Sequence, residues 1–173
     1  DPDGGEHRAE LKTKDGEKVT RVRIGRSGTA GASTDKGNLY HWELAPEVRL
    51  TEVAHVSEQP ITALEYTLGN ITLIVGDARG DVSGWFRVRE KEEDTDLHFV
   101  KAHSYAGQGV AIAAIGASTR DKSFVTAGND GSLVLRHMTS ERSVVSFPAT
   151  GSPVDAVLLS PKMDGIIVKQ TDG

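Results

Sequence analysis

One tight turn recurs four times along this chain, and each copy opens a β-hairpin. It reads Asp35-Lys36-Gly37-Asn38-Leu39, then Asp77-Ala78-Arg79-Gly80-Asp81-Val82, then Asp130-Gly131-Ser132-Leu133, and finally Asp172-Gly173. The four glycines stand roughly 40 to 50 residues apart, the period at which self-similarity marks a propeller or solenoid built from one small sheet per repeat. A small sheet cannot bury its apolar faces alone, so stacked neighbours must bury them. This feature constrains the fold class most, and it leaves little room for most enzyme scaffolds.

The strands between the turns follow from residue type. Ile61–Tyr66 predicts a strand, Leu68-Gly69-Asn70 a turn, and the β-branched run Ile71–Gly76 a buried strand. After the Gly80 turn, Val82–Val88 predicts a third strand. Arg89–Asp96 is charged and polar and predicts a solvated loop. Leu97–Val100 then predicts an outer fourth strand. The order returns with Val110–Gly116, Ser123–Ala127, Ser132–Met138 and Ser143–Phe147. It begins once more with Val154–Leu159 and Ile166–Val168. Upstream, Asn38–Glu43 and Leu50–Ala54 predict the last two strands of an earlier copy. Arg8–Lys12 and Val19–Ile24 alternate around Asp15-Gly16 and predict a hairpin. Gly25–Ser33 is rich in Gly, Ser, Ala and Thr and predicts a connection. No segment carries a helical period.

Composition narrows the function classes. Among 173 residues, 37% are apolar and 26% charged, as in a globular domain. The net charge of −5 gives no general attraction to nucleic acid, which is not an expected partner. No cysteine is present, so disulfides and thiolate chemistry are excluded. No apolar run reaches the ~18 residues of a spanning helix. The opening Asp1-Pro2-Asp3-Gly4-Gly5 and the closing turn Thr171-Asp172-Gly173 predict a soluble piece of something longer.

The chemistry-bearing residues favour bland roles. Asp35, Asp77, Asp130 and Asp172 are expected to be turn formers, because an aspartate side chain caps its own turn. None of His7, His41, His55, His98, His103 and His137 shows metal-ligand spacing. His55 and His103 are expected at equivalent repeat positions, each in a structural hydrogen bond. Gly25–Gly31 lacks the Gly-Lys-Ser/Thr ending of a phosphate loop. Arg21 and Arg23 share one strand face with Arg26 nearby, a pattern that suits phosphate oxygens or, as expected here, a solvated face. Glu90–Asp96 is expected to be a solvated loop, and Asn70-Ile71-Thr72 has the form of a glycosylation sequon. No Gly-x-Ser-x-Gly elbow and no nucleophile–base set is present. The expectation is no catalytic, cofactor-binding or metal residue, no cofactor and no enzyme activity.

Aligned on the turn glycine, the third strands read Gly37-Asn-Leu-Tyr-His-Trp42, Gly80-Asp-Val-Ser-Gly-Trp85 and Gly131-Ser-Leu-Val-Leu-Arg136. This resembles the WD-repeat core, with Trp42 and Trp85 on the tryptophan position and Arg136 departing from it. Ala54-His55 and Ala102-His103 resemble the Gly-His pair that precedes a WD repeat. The resemblance implies an all-β, WD-repeat-like β-propeller, incomplete, with about three to four four-stranded antiparallel blades. The expected organisation is a hairpin and connection over 1–33, then blades over 34–173. Within these, 34–54 is a partial blade, 55–102 and 103–149 are whole blades, and 150–173 is a partial blade.

The run Ile61–Val88, with Thr139-Ser140-Glu141-Arg142 and Leu159-Ser160-Pro161, is similar to the extended phosphate ABC transporter permease of some Gram-negative bacteria. In that form a propeller-like domain is inserted after the first membrane helix. The similarity covers about residues 34–173. It implies a non-catalytic accessory domain on the periplasmic side of the inner membrane, belonging to the permease subunit of an ATP-driven phosphate importer. The implied partners are the other importer subunits, among them the periplasmic phosphate-binding protein, with the full-length protein embedded in the membrane. The alternative reading is a free-standing cytoplasmic WD-like scaffold.

Overall fold

Alternating side chains set the strands, and stacking of the resulting sheets sets everything else. The computed structural model describes residues 10–25, 28–89, 96–162 and 164–172, and no helix forms among them. The strands run β1 (Val19–Gly25), β2 (Thr29–Thr34), β3 (Asn38–Glu43), β4 (Arg49–His55), β5 (Ile61–Tyr66), β6 (Leu73–Asp77) and β7 (Val82–Val88). They continue as β8 (His98–Tyr105), β9 (Ile112–Ala117), β10 (Ser123–Gly128), β11 (Leu133–His137), β12 (Ser143–Phe147), β13 (Val154–Leu159) and β14 (Ile166–Gln170). Successive strands pair antiparallel into three four-stranded sheets, β1–β4, β5–β8 and β9–β12, followed by the two-stranded sheet β13–β14. The all-β class expected from the sequence is what the chain adopts.

Most of the core lies between the sheets, and one cluster, Ala30, Ala32, Tyr40 and Trp42, lies on the first sheet itself. Leu39, Ile61, Leu64, Leu73, Val75 and Trp85 pack between the first and second sheets. Ala63, Ile74, Val82, Tyr105, Ile112, Phe124 and Met138 pack between the second and third. Val125, Ala127, Val154 and Val157 pack between the third and fourth. Neighbours along β6 therefore serve opposite interfaces: Leu73 and Val75 face one way and Ile74 the other. A strand buried on both faces reads as an apolar run, which explains Leu73–Gly76; Ile71, expected in the same buried strand, precedes β6 and is 72% exposed.

The N-terminal third departs from the sequence expectation. Residues 10–14 join no strand, and Val19–Gly25 pairs instead with Thr29–Thr34, the segment expected to be a connection. The small side chains there misled the reading. Ala30 and Ala32 lie opposite Trp42 and Tyr40, whose stacked rings, 5.5 Å apart, occupy the volume that the alanines leave. Leu11 packs on this cluster, and the Lys14 amide donates to the Tyr40 hydroxyl at 3.0 Å. The expected boundary at 33/34 thus falls inside β2, and Val19–His55 is a whole sheet rather than a partial one. The expected strand residues Arg8 and Ala9 and most of the acidic run, Glu90–Thr95, lie outside the described residues.

The recurrent turn glycine has a second task that the sequence does not announce. Gly37, Gly80 and Gly131 all have positive φ, 73°, 94° and 86°, as a tight hairpin requires. The connection leading to the next sheet also crosses directly over each of them. A Cβ at Gly37 would fall on the Ser57 carbonyl oxygen, one at Gly80 on that of Val110, and one at Gly131 against Thr150 and Ser152. The crossing is fastened by Val56 N–H to Gly37 O, Gln108 N–H to Gly80 O, and Gly151 N–H to Asp130 O, each at 2.9 Å. The repeat thus fixes sheet-to-sheet stacking as well as the hairpin. No helix among the described residues is long and apolar enough to cross a membrane.

Candidate functional site: the cleft between the inner strands

The first strand of each sheet lies beside the first strand of the next sheet. β1, β5, β9 and β13 run as successive neighbours and, with adjoining loops, line a cleft of about 380 Å³. Its walls are small side chains such as Ala63, Ala113, Ala114 and Ala117. Its charged groups are Arg21 and Arg23 from β1, Glu65 from β5 and Asp155 from β13. The sequence placed Arg21 and Arg23 together on one strand face, and both do line this cleft. Arg26 lies outside the described residues.

The charges are already engaged. Arg23 Nε donates to Glu65 Oε2 at 2.9 Å, joining the first and second sheets. Arg21 donates to Thr20 O at 2.7 Å and reaches Ala113 O on β9 at 3.4 Å. Asp155 accepts from Lys169 Nζ at 2.5 Å. That hydrogen bond and the ammonium charge hold its carboxyl below the ordinary range, and Arg21 adds to the effect. The Arg23–Glu65 and Arg21–Ala113 contacts join neighbouring sheets, while Asp155–Lys169 lies within the fourth sheet. The arrangement can hold a polar group at its mouth; it does not pair a nucleophile with a base.

His41, His55, His103 and His137 each make a side-chain hydrogen bond, and His7 lies outside the described residues. His41 is buried at the first interface, with Nδ1 2.7 Å from Thr51 Oγ1. The Thr51 hydroxyl donates to His41 O at 3.0 Å, so His41 Nδ1 must supply the proton of their contact. The imidazole therefore does not act as a base on Thr51. Burial, reinforced by the Arg87 charge, lowers the His41 pKa to about 4. His55 and His103 are not register-equivalent, contrary to the sequence expectation. His55 lies opposite Asn38, one residue after its turn glycine, whereas His103 lies opposite Gly84, four residues after. The difference arises because β8 runs on to Tyr105, beyond the alignment point. Their partners differ too: Asn38 and Glu58 for His55, Glu141 for His103. No group of three metal-ligating residues forms among the described residues.

The turn aspartates divide in the same way. Asp77 Oδ1 accepts from the amides of Arg79 and Asp81, both at 3.0 Å, and Asp130 Oδ1 from that of Ser132 at 2.9 Å. Asp35 instead accepts from Lys18 N, and Thr34 Oγ1 caps its turn through Lys36 N and Asn38 N. Thr34 and Asp77 each stand three residues before the glycine, so Thr34 rather than Asp35 is the counterpart of Asp77. Asp172 accepts from the Ser152 hydroxyl.

Trp42, Trp85 and Arg136 do occupy one register position, opposite Ala30, Leu73 and Phe124 on the second strand of their sheets. Among the described residues Arg136, 1% exposed, has no carboxylate partner, and its Nη1 makes no hydrogen bond. Its Nε donates to Thr126 Oγ1 at 3.1 Å, and Thr126 donates to Gln108 Oε1 at 2.8 Å. Burial lowers its pKa, the Tyr105 hydroxyl opposing. Replacing a buried charge that lacks a counter-ion with an apolar side chain removes a desolvation cost. Arg136→Met is expected to raise stability by about 1–2 kcal/mol in urea unfolding; a loss of stability would show the guanidinium to be compensated.

Sequence reasoning missed Glu52, which joins the first two sheets by accepting from Phe99 N at 2.7 Å and facing Arg87 Nε at 3.3 Å. A single charged residue in the outer strand β4 carries no sequence signal for that role.

No protein-family model and no curated protein matches the chain. Solved structures do: 1017 chains resemble it, an arrangement too widespread to select an activity. The computationally designed protein Ika4 superposes with a TM-score of 0.76 at 16% identity, over 98% of this chain and 94% of Ika4. The computationally designed Ika8 superposes with a TM-score of 0.69 at 17% identity, over 90% of this chain and 44% of Ika8. The chain thus spans less than half the length of Ika8. At these identities the likeness shows the fold alone.

Proposed function

We propose that the chain is an incomplete run of WD-like β-propeller blades serving as a non-catalytic protein-interaction module. Its place is the periplasmic side of the inner membrane, as an accessory domain of the permease subunit of an ATP-driven phosphate importer. The observation that carries the blade reading is the shared register of Trp42, Trp85 and Arg136, each five residues after a glycine over which the next connection crosses. The importer reading rests on the similarity of Ile61–Val88, a run that folds as β5, β6 and β7 with Trp85 buried at the first interface. The paired charges of the inner cleft support binding and bracing over chemistry.

The partner is tested by immobilising the purified chain and passing the importer's periplasmic phosphate-binding protein over it, with and without phosphate. Saturable retention is the expected result. No retention in either state removes that partner from the reading.

A further inference from the structure

The outer strand of the second sheet, β8, stands between two four-stranded sheets and is the longest strand among the described residues, at 8 residues. It ends the order β5-β6-β7-β8, so no strand pairs with its outer side. Such an edge offers a row of backbone N–H and C=O groups to any extended chain. Val100, 42% exposed, adds an apolar side chain to the hazard.

Two carboxylates reach the amides of this edge, one from each flanking sheet. Glu52 of β4 accepts from Phe99 N at 2.7 Å, and Arg87, which faces Glu52 at 3.3 Å, donates to Leu97 O at 2.6 Å. Toward the other end, Glu141 of the β11–β12 turn accepts from Ser104 N at 3.3 Å and from His103 Nδ1 at 3.1 Å. Phe99 N and Ser104 N thus take side-chain oxygens rather than β7 carbonyls, and both face away from the sheet. Between them stands Lys101, whose ammonium lies 5.4 Å from the Trp85 ring; a lysine on an edge itself opposes strand addition.

The backbone singles out Glu141. Its φ is 56°, in the left-handed region that a glutamate enters at a cost and a glycine enters freely. The turn alone therefore has no need of a glutamate. Nor does β8 need this contact to stay seated on the third sheet. The Tyr105 hydroxyl donates to Met138 O at 3.1 Å, and the Tyr105 ring meets the Phe124 ring edge-on at 5.0 Å. What Glu141 adds is occupation of the β8 edge.

We infer that Glu52 and Glu141 form an autoinhibitory guard that bars an added strand from β8. A charged acceptor bonded to an outward amide must be displaced before a second backbone can pair there, and the two guards stand toward opposite ends of the strand. The device is separate from the importer reading and acts in the isolated chain.

Glu141→Gly removes one guard and relieves the backbone together, so the variant is expected to fold. By NMR its Ser104 amide is expected to exchange about ten times faster or more, the loss of one bond to a charged acceptor, while the Tyr105 amide is unchanged. Glu52→Ala with Glu141→Gly is expected to give a concentration-dependent dimer in sedimentation, with β8 amides protected in the dimer. The parent chain is expected to show no association through β8. Glu52→Gln with Glu141→Gln keeps an oxygen acceptor at each amide and is expected to behave as the parent chain. Unchanged Ser104 exchange in Glu141→Gly would overturn the inference, and this arm stands even where the double variant does not fold. A folded double variant that gains no β8 association would also overturn it. So would association of the glutamine pair, because charge rather than occupation of the amides would then protect the edge.

Discussion

Gly80→Ala is expected to destabilise the chain by about 4 kcal/mol. Of this, about 1–2 kcal/mol comes from forcing an alanine into the left-handed region at φ 94°. The rest comes from driving a Cβ into the Val110 carbonyl, where backbone and not a yielding side chain must move. Gly109, in the connection that crosses over Gly80, supplies the control. Its φ is 76°, and a Cβ there meets nothing within 4 Å, so Gly109→Ala carries only the backbone cost, about 1 kcal/mol. Urea unfolding of the two variants separates the hairpin's need for positive φ from the crossing. Equal losses would mean that the crossing contributes nothing and that the glycine serves its turn alone.

Acid is expected to weaken the first interface through His41. Its folded-state pKa of about 4 lies below the ordinary value of 6.5, because burial and Arg87 disfavour the imidazolium. Between these two pH values the unfolded chain binds the extra proton and the folded chain does not. The stability is therefore complete above pH 6.5, declines as pH falls toward about 4, and is lost no further below it. The full effect is at most about 3 kcal/mol. His41→Gln retains a donor for Thr51 and cannot titrate, so its stability is expected to stay flatter from pH 6.5 to 4 in thermal or urea unfolding. Parallel profiles for the two proteins would place the acid sensitivity elsewhere.

The strands were legible where one face or both carry β-branched and aromatic residues. β3, β5, β7, β12 and β13 fall where the sequence places them, since period and turn residues agree there. β2 was illegible for a physical reason. A second strand paired opposite two aromatics is built from alanine, glycine, serine and threonine, the same residues that make a linker. The turn glycines were visible as a repeat, but the crossing over them depends on a connection roughly 20 to 30 residues away and leaves no local mark. In the cleft, alternation placed Arg21 and Arg23 on one face of β1. Which neighbours they would meet, Glu65 on β5 and Ala113 on β9, depends on sheet stacking that no single strand encodes. The aspartates and histidines misled where spacing along the chain was taken for register, because the strands and connections differ in length from one sheet to the next.

The most direct test of the proposed role is an immunoblot of fractionated source cells with an antibody raised against this 18.5 kDa chain. The account predicts a much larger band in the membrane fraction, cleaved by added protease only after the outer membrane is opened. A soluble cytoplasmic band would contradict it and leave a free-standing WD-like scaffold as the reading to pursue.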